Sequence, residues 1–134
     1  MWTFTKDGFY STVKNAYCKR DEVVIRSRQK VDLERFLKKM KIKARIEEYP
    51  EADYLYRVQV PHTVWIEYIT KTATELDYPN FKRMISESGD DERHHVYGEC
   101  WFALRKWQAD HAKEDDLYWP PLRRKRALHA NTKS

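Results

Sequence analysis

Glycine and cysteine are scarce in this chain, and long apolar runs are missing. Three glycines among 134 residues nearly exclude a phosphate-cradling loop, and neither GxGxxG nor GxxxxGK[ST] occurs. Two cysteines, Cys18 and Cys100, make no disulfide framework, so we expect free thiols and a cytoplasmic protein. No run approaches the roughly 18 apolar residues of a membrane helix, and Lys6 and Asp7 interrupt any signal-peptide pattern. We therefore expect no membrane partner.

The residue spacings of common catalytic and metal sites are also missing. The sequence contains no HExxH, no CxxC and no GxSxG. His94 and His95 precede Cys100 on a predicted helix, where the spacing turns their side chains away from the thiol. Neighbouring carboxylates such as Asp90 and Asp91 are typical of solvated faces or helix starts. We expect no enzyme, no metal and no cofactor. A small enzyme whose site gathers residues from distant segments stays open as an alternative.

The composition is that of a folded chain, since 41% of the residues are hydrophobic and 14% are aromatic. The length allows one domain with one ordinary core. We expect that domain to cover residues 1–117. Residues 118–134 contain Pro120 and Pro121 and then a basic cluster, which predicts a flexible, basic C-terminal tail.

Alternating apolar and polar residues predict strands in the first half of the chain, over residues 2–5, 9–17, 22–28, 44–49 and 54–60. A helix follows the third strand, with Asp32 as the expected N-cap. The second half reads as helix, and its longest helix begins near Asp90. The order predicts an α+β fold. We expect an antiparallel sheet of four to five strands, packed by three to four helices mostly from the C-terminal half.

The last two long helices each carry an apolar stripe that predicts a buried face. The stripe of the first consists of Trp65, Ile69, Ala73 and Leu76. The stripe of the second consists of Val96, Cys100, Ala103, Leu104 and Trp107.

Opposite charges are sorted along the chain, although the net charge is only +5. Residues 1–45 carry a net +8, residues 46–122 a net −8 and residues 123–134 a net +5. Either a polyanion or a protein with complementary patches could use this arrangement. The open alternative is that the oppositely charged segments neutralise each other within the fold.

The first functional hypothesis is a non-enzymatic module that contacts nucleic acid or a nucleoprotein through a basic surface. Arg26, Arg28 and Lys30 recur at period two, so we expect them to project from one face of a strand end. The remaining candidates follow in the helix and in the tail: Lys38, Lys39, Lys41, Arg123, Arg124, Lys125 and Arg126.

The second hypothesis is a protein-binding inhibitor or adaptor of phage type, acting on a host or defence complex through acidic residues. The acidic candidates are Glu87, Asp90, Asp91 and Glu92. Trp2 and Trp119 lie near the termini and are candidate interface residues, since tryptophan is enriched at binding hot spots.

Several short segments together resemble a small family of uncharacterised bacterial and phage proteins, over about residues 1–107. They are Met1-Trp2, Phe4-Thr5, Asp7 to Ser11, Asp53-Tyr54, Tyr56 to Val58, Val60-Pro61, Trp65, Asp77 to Lys82, Trp101 and Ala103-Leu104. The resemblance implies no activity and assigns no catalytic residue. The segment from Tyr118 to Ser134 lies outside it.

Overall fold

A computed structural model describes residues 1–112. The strands are β1 (Trp2–Phe4), β2 (Phe9–Val13), β3 (Glu22–Ser27), β4 (Glu47–Glu48) and β5 (Tyr56–Pro61). The helices are α1 (Lys30–Met40), α2 (His62–Thr74), α3 (Phe81–Glu87) and α4 (Asp91–His111). The order of strands and helices along the chain is the predicted one. The two short strands β1 and β4 lie within the predicted strands at residues 2–5 and 44–49.

The five strands form one sheet in the order β1-β2-β3-β5-β4, and every neighbouring pair is antiparallel. The predicted α+β class is therefore confirmed, with the sheet from the N-terminal half and most helices from the C-terminal half. Strand β5 pairs with β3, although α1 and β4 lie between them in the chain. Six residue pairs join the two strands. This long pairing makes β3 and β5 the centre of the sheet.

The core lies on the sheet face that α1 and α2 cover. Its members are Tyr10, Val23, Ile25, Leu33, Phe36, Val58, Val60, Trp65 and Tyr68. Strands β3 and β5 each contribute two alternate residues to this face, as the period of two requires, and β2 contributes Tyr10. Tyr10, Phe36, Trp65 and Tyr68 pack their rings against one another, with the Phe36 and Tyr68 centroids 4.9 Å apart. We call the opposite sheet face the outer face.

Asp32 does not cap α1, contrary to the sequence prediction. The residue before the helix is Gln29, and its side chain makes no capping hydrogen bond. Asp32 instead lies in the first turn, 2% exposed, where its Oδ2 accepts a hydrogen bond of 3.0 Å from the Phe9 amide. Its backbone carbonyl accepts another from the Tyr10 hydroxyl. Asp32 therefore ties α1 to the start of β2.

The predicted buried stripe of α2 is right for Trp65 and wrong for Ala73 and Leu76, which are exposed. Helix α2 ends at Thr74, so Leu76 leaves the helical register and is 59% exposed. Tyr68, which was not in the predicted stripe, is fully buried. It lies three residues after Trp65, on the same side of the helix.

The predicted buried stripe of α4 is wrong. Val96, Leu104 and Trp107 are 51%, 61% and 65% exposed, and Tyr97 is the buried residue of this helix. The apolar period shows that one face of a helix is apolar, but it does not show what covers that face.

The chain divides into two compact units, of which the first is Met1–Asp90 and the second begins at Asp91. The expected domain boundary after residue 117 lies outside the described residues, as does the tail, so both stay predictions. Among residues 1–112, each helix is too short or too polar to cross a membrane.

Candidate functional site

Five residues form one transverse row across the outer face of the sheet. Strand register pairs Trp2 with Ser11, Ser11 with Arg26, Arg26 with Arg57, and Arg57 with Glu47. Adjacent strands lie about 4.8 Å apart, so Trp2 and Arg57 are separated by about 14 Å along this row. An aromatic residue therefore stands at one edge of the sheet and two arginines stand at its centre.

The Arg26 side chain lies across strand β2. Its Nη2 donates a hydrogen bond of 2.7 Å to Ser11 Oγ, and its Nε lies 3.4 Å from the Ser11 carbonyl oxygen. Ser11 is fully buried, whereas Arg26 is half-buried. The guanidinium is therefore fixed on the sheet surface before any ligand arrives, which lowers the entropic cost of binding.

Tyr54 joins Arg26 to Arg28. The guanidinium carbons of the two arginines lie 4.6 Å and 4.3 Å from the centre of the Tyr54 ring. Cation–π contacts of this kind hold guanidinium groups in place. Arg28 Nη1 also lies 3.4 Å from Asp53 Oδ1, but both side chains of this ion pair are more than half exposed. Such a pair contributes little stability, so an incoming phosphate can replace the carboxylate.

Arg57 is the third arginine of the outer face. Its guanidinium carbon lies 4.6 Å from the centre of the Tyr49 ring, and its Nη2 lies 3.3 Å from the Tyr54 carbonyl oxygen. Its Nε is buried without a hydrogen-bond acceptor in the part of the chain that the structure describes. Arg26, Arg28 and Arg57 together form what we call the arginine cluster.

The β1 end of the row is aromatic. Trp2 is 70% exposed and its ring centre lies 6.0 Å from that of Phe9, edge to face. Phe4 packs against Phe9 with ring centres 4.7 Å apart. The indole is therefore open to solvent, and the role of Trp2 as an interface residue stays a prediction. Phe9 contacts the Trp2 ring directly, and Phe4 packs on the other partner of this contact, Phe9.

The basic residues that the sequence analysis grouped together lie on two sides of the sheet. Arg26 and Arg28 belong to the outer face. Strand β3 ends at Ser27 and Lys30 begins α1, so the expectation that Lys30 continues the strand is wrong. Lys38 and Lys41 are exposed at the C-terminal end of α1, whose buried side covers the core. Lys39 is different again, because it is largely buried and ion-paired with Asp7 and Glu75.

The acidic candidates have separate surroundings. Glu87 pairs with Arg83 within α3 at 2.9 Å, and Asp90 lies 3.9 Å from Arg35. Asp91 and Glu92 are exposed in the first turn of α4, which belongs to the second unit. Trp119 and the tail residues Arg123, Arg124, Lys125 and Arg126 lie outside the described residues.

Sequence reasoning missed Arg57 and Tyr54 as functional residues. Arg57 occupies the polar side of the strand with the clearest alternation, and this signal places it on the solvent side of the sheet. Its position beside Arg26 depends on the pairing of β3 with β5, which no local pattern encodes. Tyr54 lies just before β5 and is 3% exposed beneath two guanidinium groups.

A small cleft and the placement of the potential metal ligands describe what residues 1–112 offer in the way of enclosed sites. A small cleft of about 60 Å³ lies beside Lys39 and is lined by Asp7, Glu75 and Asp77 among others. Ligand pockets usually measure about 300–1,000 Å³, so this cleft is small for a substrate. Among residues 1–112, no three histidine, cysteine or acidic side chains converge as metal ligands would.

Comparison with protein-family models, with curated proteins and with solved structures gives no match for this chain. The resemblance to the bacterial and phage family therefore stays a prediction.

Proposed function

We propose that this chain binds single-stranded nucleic acid on the outer face of its sheet. The observation that carries the proposal is the transverse row, in which exposed Trp2 shares one face with Arg26 and Arg57. Single strands are bound by a positively charged surface that follows the phosphates and by aromatic rings on which bases stack. The outer face supplies both features on one sheet.

The arginine cluster suits phosphate recognition. A guanidinium group presents five N–H donors in a planar fork that matches phosphate geometry. Arg26 and Arg28 are held by the Tyr54 ring, and Arg57 by the Tyr49 ring. The side chains are therefore ordered in advance, so that less rotamer entropy is lost when a phosphate binds.

A single strand fits this surface better than a duplex does. The reading of a duplex needs an element that enters a groove, usually a helix or a two-stranded ribbon. The outer face is instead the broad side of a five-stranded sheet with an exposed indole at one edge. Only unpaired bases can lay their flat faces on such a ring.

The test is fluorescence anisotropy with labelled oligothymidylate and oligouridylate of about 12 nucleotides. We expect binding that weakens with salt, with a log–log slope of about −0.7 for each phosphate contact on a single strand. Three arginine contacts then give a slope of about −2. Arg28→Gln should make the salt dependence shallower, changing the slope by about 0.7 toward zero. Trp2→Ala should lower the affinity about fivefold or more and leave the slope unchanged.

Lys38→Gln is the matched control, because it removes one exposed charge from α1 and leaves the outer face intact. A variant with Arg123, Arg124, Lys125 and Arg126 all changed to alanine measures the contribution of the tail. The proposal would be overturned if binding is unchanged in Arg28→Gln, Arg57→Gln and Trp2→Ala but is lost in the variant with four alanines in the tail. The absence of binding at low salt, or a preference for duplex, would overturn it as well.

A further inference from the structure

We propose that α4 pairs in antiparallel orientation with α4 of a second copy of this chain. This proposal does not depend on nucleic-acid binding. It rests on an exposed apolar face of the helix and on flanking charges that complement themselves when the helix is turned around.

The four residues Val96, Cys100, Ala103 and Trp107 form one narrow stripe on α4. Their spacings of four, three and four residues are those of the seam in a coiled coil. At 100° per residue the four side chains lie within an arc of about 60°. Val96 and Trp107 are 51% and 65% exposed, and Ala103 is exposed as well. Leu104, 61% exposed, widens the stripe on one side.

An antiparallel copy matches this stripe to itself. If Cys100 lies opposite Ala103 of the second copy, the same register places Val96 opposite Trp107. Because the arrangement is two-fold symmetric, each of these layers occurs twice. The two layers with Trp107 are at the ends, and the two small layers at the centre let the helix axes approach to about 8–10 Å. Each large side chain therefore faces a smaller one.

The charges beside the stripe favour the same register. Glu99 and Lys106 lie on one flank of the stripe, about 20° apart around the helix axis. In the antiparallel register Glu99 of each copy lies opposite Lys106 of the other, which gives two interhelical ion pairs. Within one helix these residues contact His95 at 4.0 Å and Asp110 at 2.8 Å, and all four side chains are more than half exposed. Such exposed contacts are weak and can rearrange.

A second copy fits this face better than an unrelated protein does, because the pattern needs no other sequence to complete it. A parallel pair would place Glu99 beside Leu104 of its neighbour, leaving the charges without complement. The stripe is about 16 Å long at 1.5 Å per residue, which predicts a small interface and a weak dimer.

The test is sedimentation equilibrium of the full chain over about 10–500 μM, with circular dichroism to verify folding. Leu104→Glu and Trp107→Glu should each raise the dissociation constant at least about tenfold. Phe102→Glu is the matched control, since Phe102 is 56% exposed but projects about 130° away from the centre of the stripe around the helix axis. This variant should dimerise as the unaltered chain does.

The orientation is tested by exchanging the flanking charges. Glu99→Lys and Lys106→Glu should each raise the dissociation constant about threefold or more, and the double variant should restore it. A chain that stays monomeric throughout the concentration range would overturn the proposal. Dimers that ignore both single reversals would overturn the antiparallel register and indicate a parallel pair. If Phe102→Glu abolishes dimerisation and Leu104→Glu does not, the dimer interface does not include the stripe, and the proposal is wrong.

Discussion

Replacing Lys39 by methionine should destabilise the fold while leaving the outer face intact. Lys39 Nζ lies 3.3 Å from Asp7 Oδ2 and 3.2 Å from Glu75 Oε2. The side chains of Lys39 and Asp7 are only 17% and 18% exposed. Tyr68 donates a hydrogen bond of 2.9 Å to the same Asp7 oxygen. The ammonium group thus joins α1 to the β1–β2 turn and to the end of α2.

The expected cost follows from the degree of burial. Exposed ion pairs contribute about 0.2–1 kcal/mol, and removal of one partner from a fully buried pair costs about 3–5 kcal/mol. The pair with Asp7 lies between these limits, whereas Glu75 is 46% exposed and adds little. We therefore expect Lys39→Met to lower the free energy of unfolding by about 1.5–3 kcal/mol. Methionine keeps the aliphatic stem, so the change isolates the charge.

Urea denaturation followed by tryptophan fluorescence measures this effect, because Trp65 is buried in the core. Lys38→Met is the control. Lys38 is exposed in the same last turn of α1, so both changes remove the same favourable interaction with the helix dipole. A difference of less than about 0.5 kcal/mol between the two variants would refute the structural role of Lys39. If Lys39→Met lowers the affinity for oligonucleotides and Lys38→Met does not, Lys39 takes part in nucleic-acid binding.

Three further predictions concern the core. Gly8→Ala should cost about 2–3 kcal/mol in urea denaturation, because its Cβ would lie 2.5 Å from Asp32 Cβ, and an unchanged midpoint would contradict this. Burial raises the pKa of Tyr10 and of Tyr68 well above the ordinary tyrosine value. Above about pH 10 the unfolded chain releases these protons first, so the contribution of the two tyrosines to stability should be constant just below that pH and should fall as the pH rises above it; a free energy of unfolding that stays flat between about pH 9 and pH 11 would contradict this. Phe36→Ala should cost about 3–5 kcal/mol, and a loss below about 1 kcal/mol would contradict the fully buried position of Phe36.

Local sequence was enough to predict the order of the elements and the class of the fold. The alternation in β5 indicates correctly that Val58 and Val60 share a buried face and that Arg57 points away from it. These features are readable because a strand repeats every two residues and a helix every 3.6, whatever they pack against.

The candidate site depends on contacts that no local pattern contains. Trp2, Arg26 and Arg57 come from three strands, and they share a row only because of the register between those strands. Lys39 looks like any surface lysine until the fold brings Asp7 and Glu75 to it from distant segments. The apolar stripe of α4 is visible in the sequence, but its exposure is not.

The sequence by itself therefore determined the order of the strands and helices and, in β5, which side of the strand is apolar. The tertiary structure alone decided which basic side chains gather on the outer face, which one is held in an ion pair, and which apolar stripe meets solvent. The physical reason is that periodicity is a property of one segment, whereas register, ion pairing and burial arise between segments far apart in the chain.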